Sequence, residues 1–147
     1  KKIKTYDLTR MNLCTTRISI PFMKTDRNVY GLGTYKNGIL LYKPDKQEIV
    51  HISSSLFNNL DVRCFYEDQN GKMWIGTETG IYSCTNEVLV KEEEIQKQLP
   101  DIMVHSLLRD KEGKLWVGTF GKGISIFDVN NSYYGISLLK TASAPML

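Results

Sequence analysis

A ten-residue stretch of this chain occurs twice, and the distance between its copies constrains the fold more than any other feature. The stretch that begins at Asp68 and ends at Thr77 returns between Asp110 and Thr119, at an offset of 42 residues. In both copies an aspartate, a glycine, a tryptophan and a Gly-Thr pair keep the same spacing. A fixed period of this length is typical of repeat architectures, in which each copy forms one supersecondary unit.

A third, degraded copy lies upstream of these two. It runs from Asp26 to Thr34, and its Gly-Thr pair precedes the next one by 43 residues. It lacks the turn glycine, and it has Gly31 where the other copies have tryptophan. All three copies run on to a Gly-Ile pair, which is found at positions 38–39, 80–81 and 123–124.

Each copy predicts antiparallel β structure. Asn70 and Gly71 lie between two apolar-rich runs, which is a strong hairpin signal because both residues tolerate positive φ. The aspartates are predicted to fix the turn by accepting backbone N–H groups, the tryptophans to fill the core between units, and the second glycines to allow close packing. The residues with these structural roles are Asp68, Gly71, Trp74, Gly76, Thr77, Asp110, Gly113, Trp116, Gly118 and Thr119.

Four short strands in each repeat of 40 to 45 residues describe one blade of a β-propeller. The chain is therefore predicted to be all-β, with about three four-stranded antiparallel blades and one short helix near 91–99. The expected organisation is an outer strand and connection at 1–16, blades at 17–54, 61–90 and 102–138, a helical insertion at 91–100, and a tail at 139–147. Closed propellers need at least four blades, so this is a partial propeller that is completed by further blades or by self-association.

Composition excludes several classes of function. The net charge of +3 comes from scattered basic residues, which argues against nucleic-acid binding. No apolar run is long enough to span a membrane, so any membrane contact is expected through segments of a parent protein. The three cysteines, Cys14, Cys64 and Cys84, have no spacing typical of a disulfide framework or a zinc site, and we expect free thiols.

The sequence offers no catalytic constellation. His51 and His105 fall far apart in the repeat frame, and no H-E-x-x-H motif, nucleophile elbow or phosphate loop is present. Metal binding by Asp68 and Asp110, or sugar stacking on the tryptophans, explains their repeated positions less well than turn and core roles do. We therefore predict no catalytic residue, no metal site and no cofactor.

Propeller topology predicts where a ligand would bind. The loops between strands two and three crowd the same end of the axis as the links between blades, and here they vary while their flanks do not. An aromatic ring, an amide and cations can hold a sugar by stacking and hydrogen bonding, although ordinary exposed turns are the alternative interpretation. The predicted ligand residues are Tyr35, Lys36, Asn37, Glu78, Thr79, Phe120 and Lys122, with Arg63 and His105 facing the central channel.

The pattern D-x-x-G-x-x-W-[I/V]-G-T, followed by Gly-Ile, resembles the two-component regulator propeller repeat. That repeat fills the extracytoplasmic sensor regions of hybrid two-component histidine kinases of Bacteroides. The resemblance implies a non-enzymatic, periplasmic propeller that senses oligosaccharides for signal transduction and acts as a dimer. Fold alone leaves two alternatives open, a protein-interaction scaffold and a propeller enzyme similar to streptogramin lyase.

Overall fold

The computed structural model describes residues 17–55, 58–99 and 103–128. Within these ranges the chain forms eleven β-strands and one short helix, and every strand pairing is antiparallel. This is the all-β fold that the repeat predicts. The predicted outer strand at 1–16 with Cys14, the fourth strand of the third blade at 133–138 and the tail at 139–147 lie outside the described residues.

The first blade has four strands, which lie in chain order across the sheet. They are β1 (Arg17–Lys24), β2 (Tyr30–Asn37), β3 (Ile39–Lys43) and β4 (Glu48–Ile52). Glycine permits the tight turn between β2 and β3, because Gly38 has a φ of 74° and a Cβ atom there would meet the Ile52 carbonyl oxygen.

The second blade has the same four-stranded meander. Its strands are β5 (Asn58–Glu67), β6 (Met73–Thr77), β7 (Gly80–Thr85) and β8 (Val88–Lys91). Strand β5 begins before the predicted blade boundary at residue 61. Its early part pairs with the end of β2, where Asp61 lies opposite Tyr35, and its later part pairs with β6. One long strand therefore ties the first two blades together.

The third blade follows a short helical connection. Helix α1 spans Glu93–Gln96, which is shorter than the predicted 91–99. Glu92 makes no side-chain cap bond, and the turn that follows the helix tightens into i→i+3 bonds up to Leu99, so the chain leaves the α-helical path early. The described strands of this blade are β9 (Val104–Arg109), β10 (Leu115–Thr119) and β11 (Ile124–Phe127).

Two apolar cores lie between the blades, because successive side chains of a strand point to opposite faces of its sheet. On β6, Met73 and Ile75 pack into the core that the second blade shares with the first, whereas Trp74 packs into the core shared with the third. Ile95 of α1 is fully buried in that second core. Burial of both faces of the second blade is what makes this stack of sheets stable.

The two tryptophans differ in burial. Trp74 is 2% exposed, whereas Trp116 is only half-buried. Trp116 alternates with Leu115 and Val117, which face the second blade, so its indole lies on the opposite face of the sheet. No blade in the described part of the chain covers that face, so the inter-blade role is seen for Trp74 and stays a prediction for Trp116. No helix in the described ranges is long and apolar enough to cross a membrane.

Candidate functional site

The repeated aspartates are turn-closing groups. Oδ1 of Asp68 accepts hydrogen bonds from the backbone N–H groups of Asn70, at 2.9 Å, and Lys72, at 3.1 Å. Oδ2 accepts the indole N–H of Trp74 at 2.9 Å. Both carboxylate oxygens are thus used internally. Within the described part of the chain, no group of three or more His, Cys, Asp or Glu side chains is placed to hold a metal ion.

Asp110 repeats this geometry in the third blade. Its Oδ1 accepts the N–H groups of Glu112 and Lys114, and its Oδ2 accepts the indole N–H of Trp116 at 2.8 Å. The hydrogen bond from the Trp116 indole is the main cause that holds the pKa of the Asp110 carboxyl below its ordinary value, and the two backbone donors lower it further. The sequence pattern indicated the turn bonds but gave no sign that the aspartate also anchors the tryptophan six residues later.

The degraded copy builds the same turn from different residues, at the positions that the 43-residue offset gives. Thr25, not Asp26, takes the place of Asp68, because its Oγ1 accepts the Val29 N–H at 3.1 Å. Asn28 takes the place of the turn glycine with a φ of 58°, a conformation that asparagine tolerates better than most residues. The missing glycine therefore does not disrupt the first blade.

The first strands of the three blades lie side by side and form the inner edge of the stack. The pairing of β5 with β6 is bulged at Arg63, and that of β9 with β10 is bulged at His105. A bulge turns a side chain away from the normal alternation, so these two residues occupy equivalent, redirected positions. Both are exposed, and their position at a central channel stays a prediction. The sequence did not reveal the bulges.

The predicted loop at 35–37 is not a free turn, which is a correction. Tyr35, Lys36 and Asn37 form the end of β2, and this segment pairs with the start of β5. The Tyr35 ring is still 43% exposed, and the Lys36 Nζ lies 4.9 Å from its centroid. His51 lies behind this segment, with its Nε2 2.7 Å from the Asn37 carbonyl oxygen, so this histidine has a structural contact.

The turn between β6 and β7 is held by two side chains. Thr77 donates its hydroxyl to the Gly80 carbonyl at 2.9 Å, and Thr34 and Thr119 close the equivalent turns in the same way. Gln96 of α1 accepts the Ile81 N–H at 2.9 Å and donates to the Thr79 carbonyl at 3.1 Å. The helix insertion therefore fixes the loop that carries Glu78 and Thr79, a role that no sequence motif indicated.

Several of the predicted ligand residues gather around Asp61. Arg63 forms an ion pair with Asp61 at 3.0 Å, the Glu78 N–H donates to the Asp61 carbonyl at 3.2 Å, and Tyr35 lies opposite it on the next strand. Asp61 itself is 8% exposed, and its Oδ1 has no hydrogen-bond partner in the described structure. The Thr79 hydroxyl is likewise buried without a partner. Both oxygens retain capacity for a further hydrogen bond.

A second group of predicted residues lies on the third blade. The rings of His105 and Phe120 are 5.5 Å apart, and Phe120 is 72% exposed. Lys122 is exposed in the same turn. The structure thus brings the predicted residues together as two neighbouring sets, one around Asp61 and one around Phe120. Together they offer aromatic faces, cations and hydrogen-bond acceptors.

The cysteines are not placed for reactivity. Cys64 and Cys84 are free thiols on β5 and β7. Burial raises the pKa of Cys64 to about 12 and also raises the pKa of Cys84. Because the thiolate is the nucleophile, these thiols are chemically quiet at neutral pH.

Comparison with known proteins agrees with the geometry. The family described as two component regulator propeller matches residues 55–79 and 98–121. The chain is similar to the extracellular domain of the protein described as hybrid two component system BT3049 from B. thetaiotaomicron, with 30% identity and a TM-score of 0.71. That match covers 82% of this chain and 17% of the other. None of the curated proteins matches the chain significantly.

Two further solved structures support the fold alone. The extracellular domain of hybrid two component system BT4673 from B. thetaiotaomicron matches with a TM-score of 0.60 and 23% identity, over 76% of this chain and 15% of that one. PorZ, a surface component of the type-IX secretion system of Porphyromonas gingivalis, matches with a TM-score of 0.59 and 13% identity, over 86% of this chain and 21% of that one. The chain therefore spans only a small part of each of these proteins.

Proposed function

Because the chain belongs to the two-component regulator propeller repeat family, we propose that it is part of the ligand-sensing propeller of a two-component sensor. We further propose that the ligand is an oligosaccharide and that the propeller works in the periplasm. The observation that carries the proposal is the pair of repeats at 55–79 and 98–121, within a fold similar to the extracellular domain of a hybrid two component system.

The two residue sets at the inner edge supply suitable chemistry for a sugar. The exposed Phe120 ring offers a flat apolar face, and pyranose rings present C–H groups that stack on such faces. Arg63 and Lys122 supply hydrogen-bond donors from exposed positions. This mixture of one apolar platform with a few polar groups is typical of small-ligand sites.

We propose binding and signalling without catalysis. The described thiols are protonated at neutral pH, and the two histidines lie on different blades, with His51 engaged by the Asn37 carbonyl. Sensing requires only that a ligand bind one conformation of the propeller better than another and so shift their populations. A longer parent protein with kinase segments would transmit that shift.

The partner surface that we propose is the open face of the third blade. Trp116 and Leu108 lie opposite each other on neighbouring strands, and Leu108 is 53% exposed. In the second blade the equivalent face is covered by the third blade, so we propose that another propeller blade or a second copy of the chain covers this one. A strictly monomeric species in light scattering of the isolated chain would contradict self-association.

The decisive experiment is calorimetric titration of the chain, and of the longer ectodomain that contains it, with a panel of oligosaccharides. We expect saturable binding of one glycan class and a weakening of about tenfold in Phe120→Ala, because a stacking contact is lost. Val88→Ala is the control, since it removes another exposed apolar side chain, on the last strand of the second blade and outside both residue sets. A flat response to every glycan would favour the protein-interaction scaffold, and conversion of a glycan would favour the enzyme.

A further inference from the structure

A cavity of about 340 Å³ lies between the first and second blades, at the end of the molecule that carries the Asp68 turn. Its lining includes the apolar side chains of Val29, Leu41, Met73 and Cys84, together with Thr25, Gly71 and Asn86. Its mouth carries four charged side chains, those of Arg27, Lys43, Glu67 and Glu87. This site is separate from the inner-edge residues described above.

The cavity lies where one blade junction departs from the repeat. In the second blade, Asp68 holds the Trp74 indole between the second and third blades. In the first blade, the equivalent residues are Thr25 and Gly31, so the carboxylate and the ring that it anchors are missing together. The degraded copy therefore keeps its turn but leaves out the largest side chain of the junction.

Two of the side chains next to Gly31 also line the cavity. A Cβ atom built at Gly31 would lie 3.6 Å from Met73 Cε and 3.9 Å from Leu41 Cδ2, which is ordinary van der Waals contact. Both of these side chains also line the cavity. A thioether adapts its shape readily and contacts aromatic rings favourably, so Met73 suits a site that receives a planar ring.

The charges at the mouth are not equally engaged. Lys43 forms an ion pair with Glu87, and Glu67 Oε2 accepts the Asp26 N–H at 2.8 Å. Arg27 donates to the Gly71 carbonyl at 3.2 Å and forms no ion pair with any described carboxylate. A guanidinium group presents several N–H donors in a fork that matches a carboxylate, so Arg27 is the group best placed to bind an anion.

We propose that this cavity binds a small aromatic carboxylate, with a ring of up to indole size between the blades and the carboxylate on Arg27. The volume of the cavity is sufficient for an aromatic ring, because an apolar cavity of about 150 Å³ already binds benzene. The repeat supports its shape, because the equivalent space of the next junction holds the indole of Trp74. The guanidinium group of Arg27 is placed to bind the carboxylate of the ligand. The inference does not depend on the oligosaccharide ligand.

The test uses indole-3-acetate, indole and acetate as probes of the full chain, with binding followed by calorimetry and by amide chemical shifts. We expect indole-3-acetate to bind saturably with one site per chain, indole to bind more weakly, and acetate not to bind. The largest shifts are expected at residues 25–31 and 67–73. Shifts that concentrate at Phe120 would place the ligand at the inner edge and overturn the proposal.

Two variants fill the cavity. Gly31→Trp restores the repeat residue, and we expect it to abolish binding of both ring probes and to raise the unfolding temperature. Gly31→Leu places a smaller side chain at the same position and keeps the test decisive if the tryptophan disturbs folding. Saturable binding that survives in a folded filling variant, or the absence of saturable binding in the original chain, would overturn the proposal.

A third variant tests the carboxylate contact. Arg27→Gln is expected to weaken indole-3-acetate binding by about tenfold or more and to leave indole binding unchanged. Lys111→Gln is the control, because it removes an exposed cation that does not line this cavity, and it is expected to bind both probes normally. Equal affinity of Arg27→Gln and the original chain for indole-3-acetate would refute the assigned role of Arg27.

Discussion

The two blade junctions of this molecule share a repeat frame but are held together differently. Between the second and third blades, Trp74 is buried and anchored by Asp68, and Ile95 of the inserted helix completes the core. The Trp74 ring is also flanked by cations, with Lys72 Nζ at 4.2 Å and Arg109 Cζ at 5.2 Å from its centroid. This junction concentrates its contacts on one side chain.

The junction between the first and second blades has no such centre. Its blades meet through the shared strand β5, an apolar core that contains Tyr82 but no tryptophan, and polar contacts near the turns. Those contacts are the Asp26–Glu67 and Arg27–Gly71 hydrogen bonds and the Lys43–Glu87 ion pair. The comparison shows that the turn of a repeat forms without the tryptophan that fills the core, because the first blade keeps the turn hydrogen bonds and lacks the indole.

The largest expected difference in the free energy of unfolding is between the variants of the two tryptophans. Trp74→Ala should lower the free energy of unfolding by about 3 to 5 kcal/mol, because it leaves a large cavity and an unpaired Asp68 oxygen. Trp116→Ala is the matched control at the same repeat position, and its half-buried ring should cost clearly less. Urea unfolding followed by circular dichroism measures both. Equal losses in the two variants would contradict the comparison.

A smaller difference is expected at the glycines. A Cβ atom at Gly76 would lie 2.4 Å from Cys64 Sγ and 2.7 Å from Val104 Cγ1, so Gly76→Ala should overpack the junction of blades two and three and cost about 1 to 3 kcal/mol. Gly31→Ala, at the other junction, meets only ordinary contacts and should be tolerated. Thermal unfolding of the two variants checks this. Similar stability of the two variants would show that the third blade moves to accommodate the added methyl group at little cost in stability.

The inserted helix gives the next prediction. Gln96→Ala removes the bonds to the Ile81 N–H and the Thr79 carbonyl and should cost about 1 to 2 kcal/mol. Hydrogen exchange of the Ile81 amide should accelerate, because that donor loses its acceptor. Gln98→Ala, on the exposed side of the same turn, should change stability by less than about 0.5 kcal/mol. An unchanged Ile81 exchange rate in Gln96→Ala would show that the loop is held by other contacts.

Much of the fold could be predicted because the signals are local. The hairpins at Asp68 and Asp110 need only an acceptor, a residue with positive φ and flanking apolar runs, all within a few positions of the chain. The burial of Trp74 followed from the repeat, since a second blade with neighbours on both sides must bury both faces. The exposure of Trp116 depends on what covers its face, which no motif within the repeat encodes.

The candidate sites were harder to predict because they depend on contacts between distant residues. The bulges at Arg63 and His105 arise from strand register, which the sequence pattern did not specify. The role of Gln96 depends on where the insertion folds back. The cavity between the first and second blades appears only when these blades are stacked. The substitution of tryptophan by glycine was visible in the sequence, but its consequence required the packing.

The smallest expected effect is a pH dependence of the Asp110 turn that the Thr25 turn lacks, because only Asp110 carries a charge. Hydrogen bonds from Trp116 and the following backbone hold the pKa of Asp110 below its ordinary value of 3.8. A carboxyl whose pKa is lowered by folding contributes stability above its ordinary pKa, and that contribution is lost as the pH falls through the lowered pKa. Asp110→Asn keeps the shape of the side chain but removes its charge, so its stability deficit should be present at pH 7 and shrink on acidification below pH 3.8.

Nuclear magnetic resonance distinguishes this turn from its uncharged counterpart. The Lys114 amide, which donates to Asp110, should shift with the titration of that carboxyl, and the midpoint should lie below pH 3.8. The Val29 amide donates to the hydroxyl of Thr25, which does not titrate in this range, and it should show no such step. A Lys114 midpoint at or above the ordinary value would mean that the indole and backbone donors do not stabilise the Asp110 carboxylate in solution.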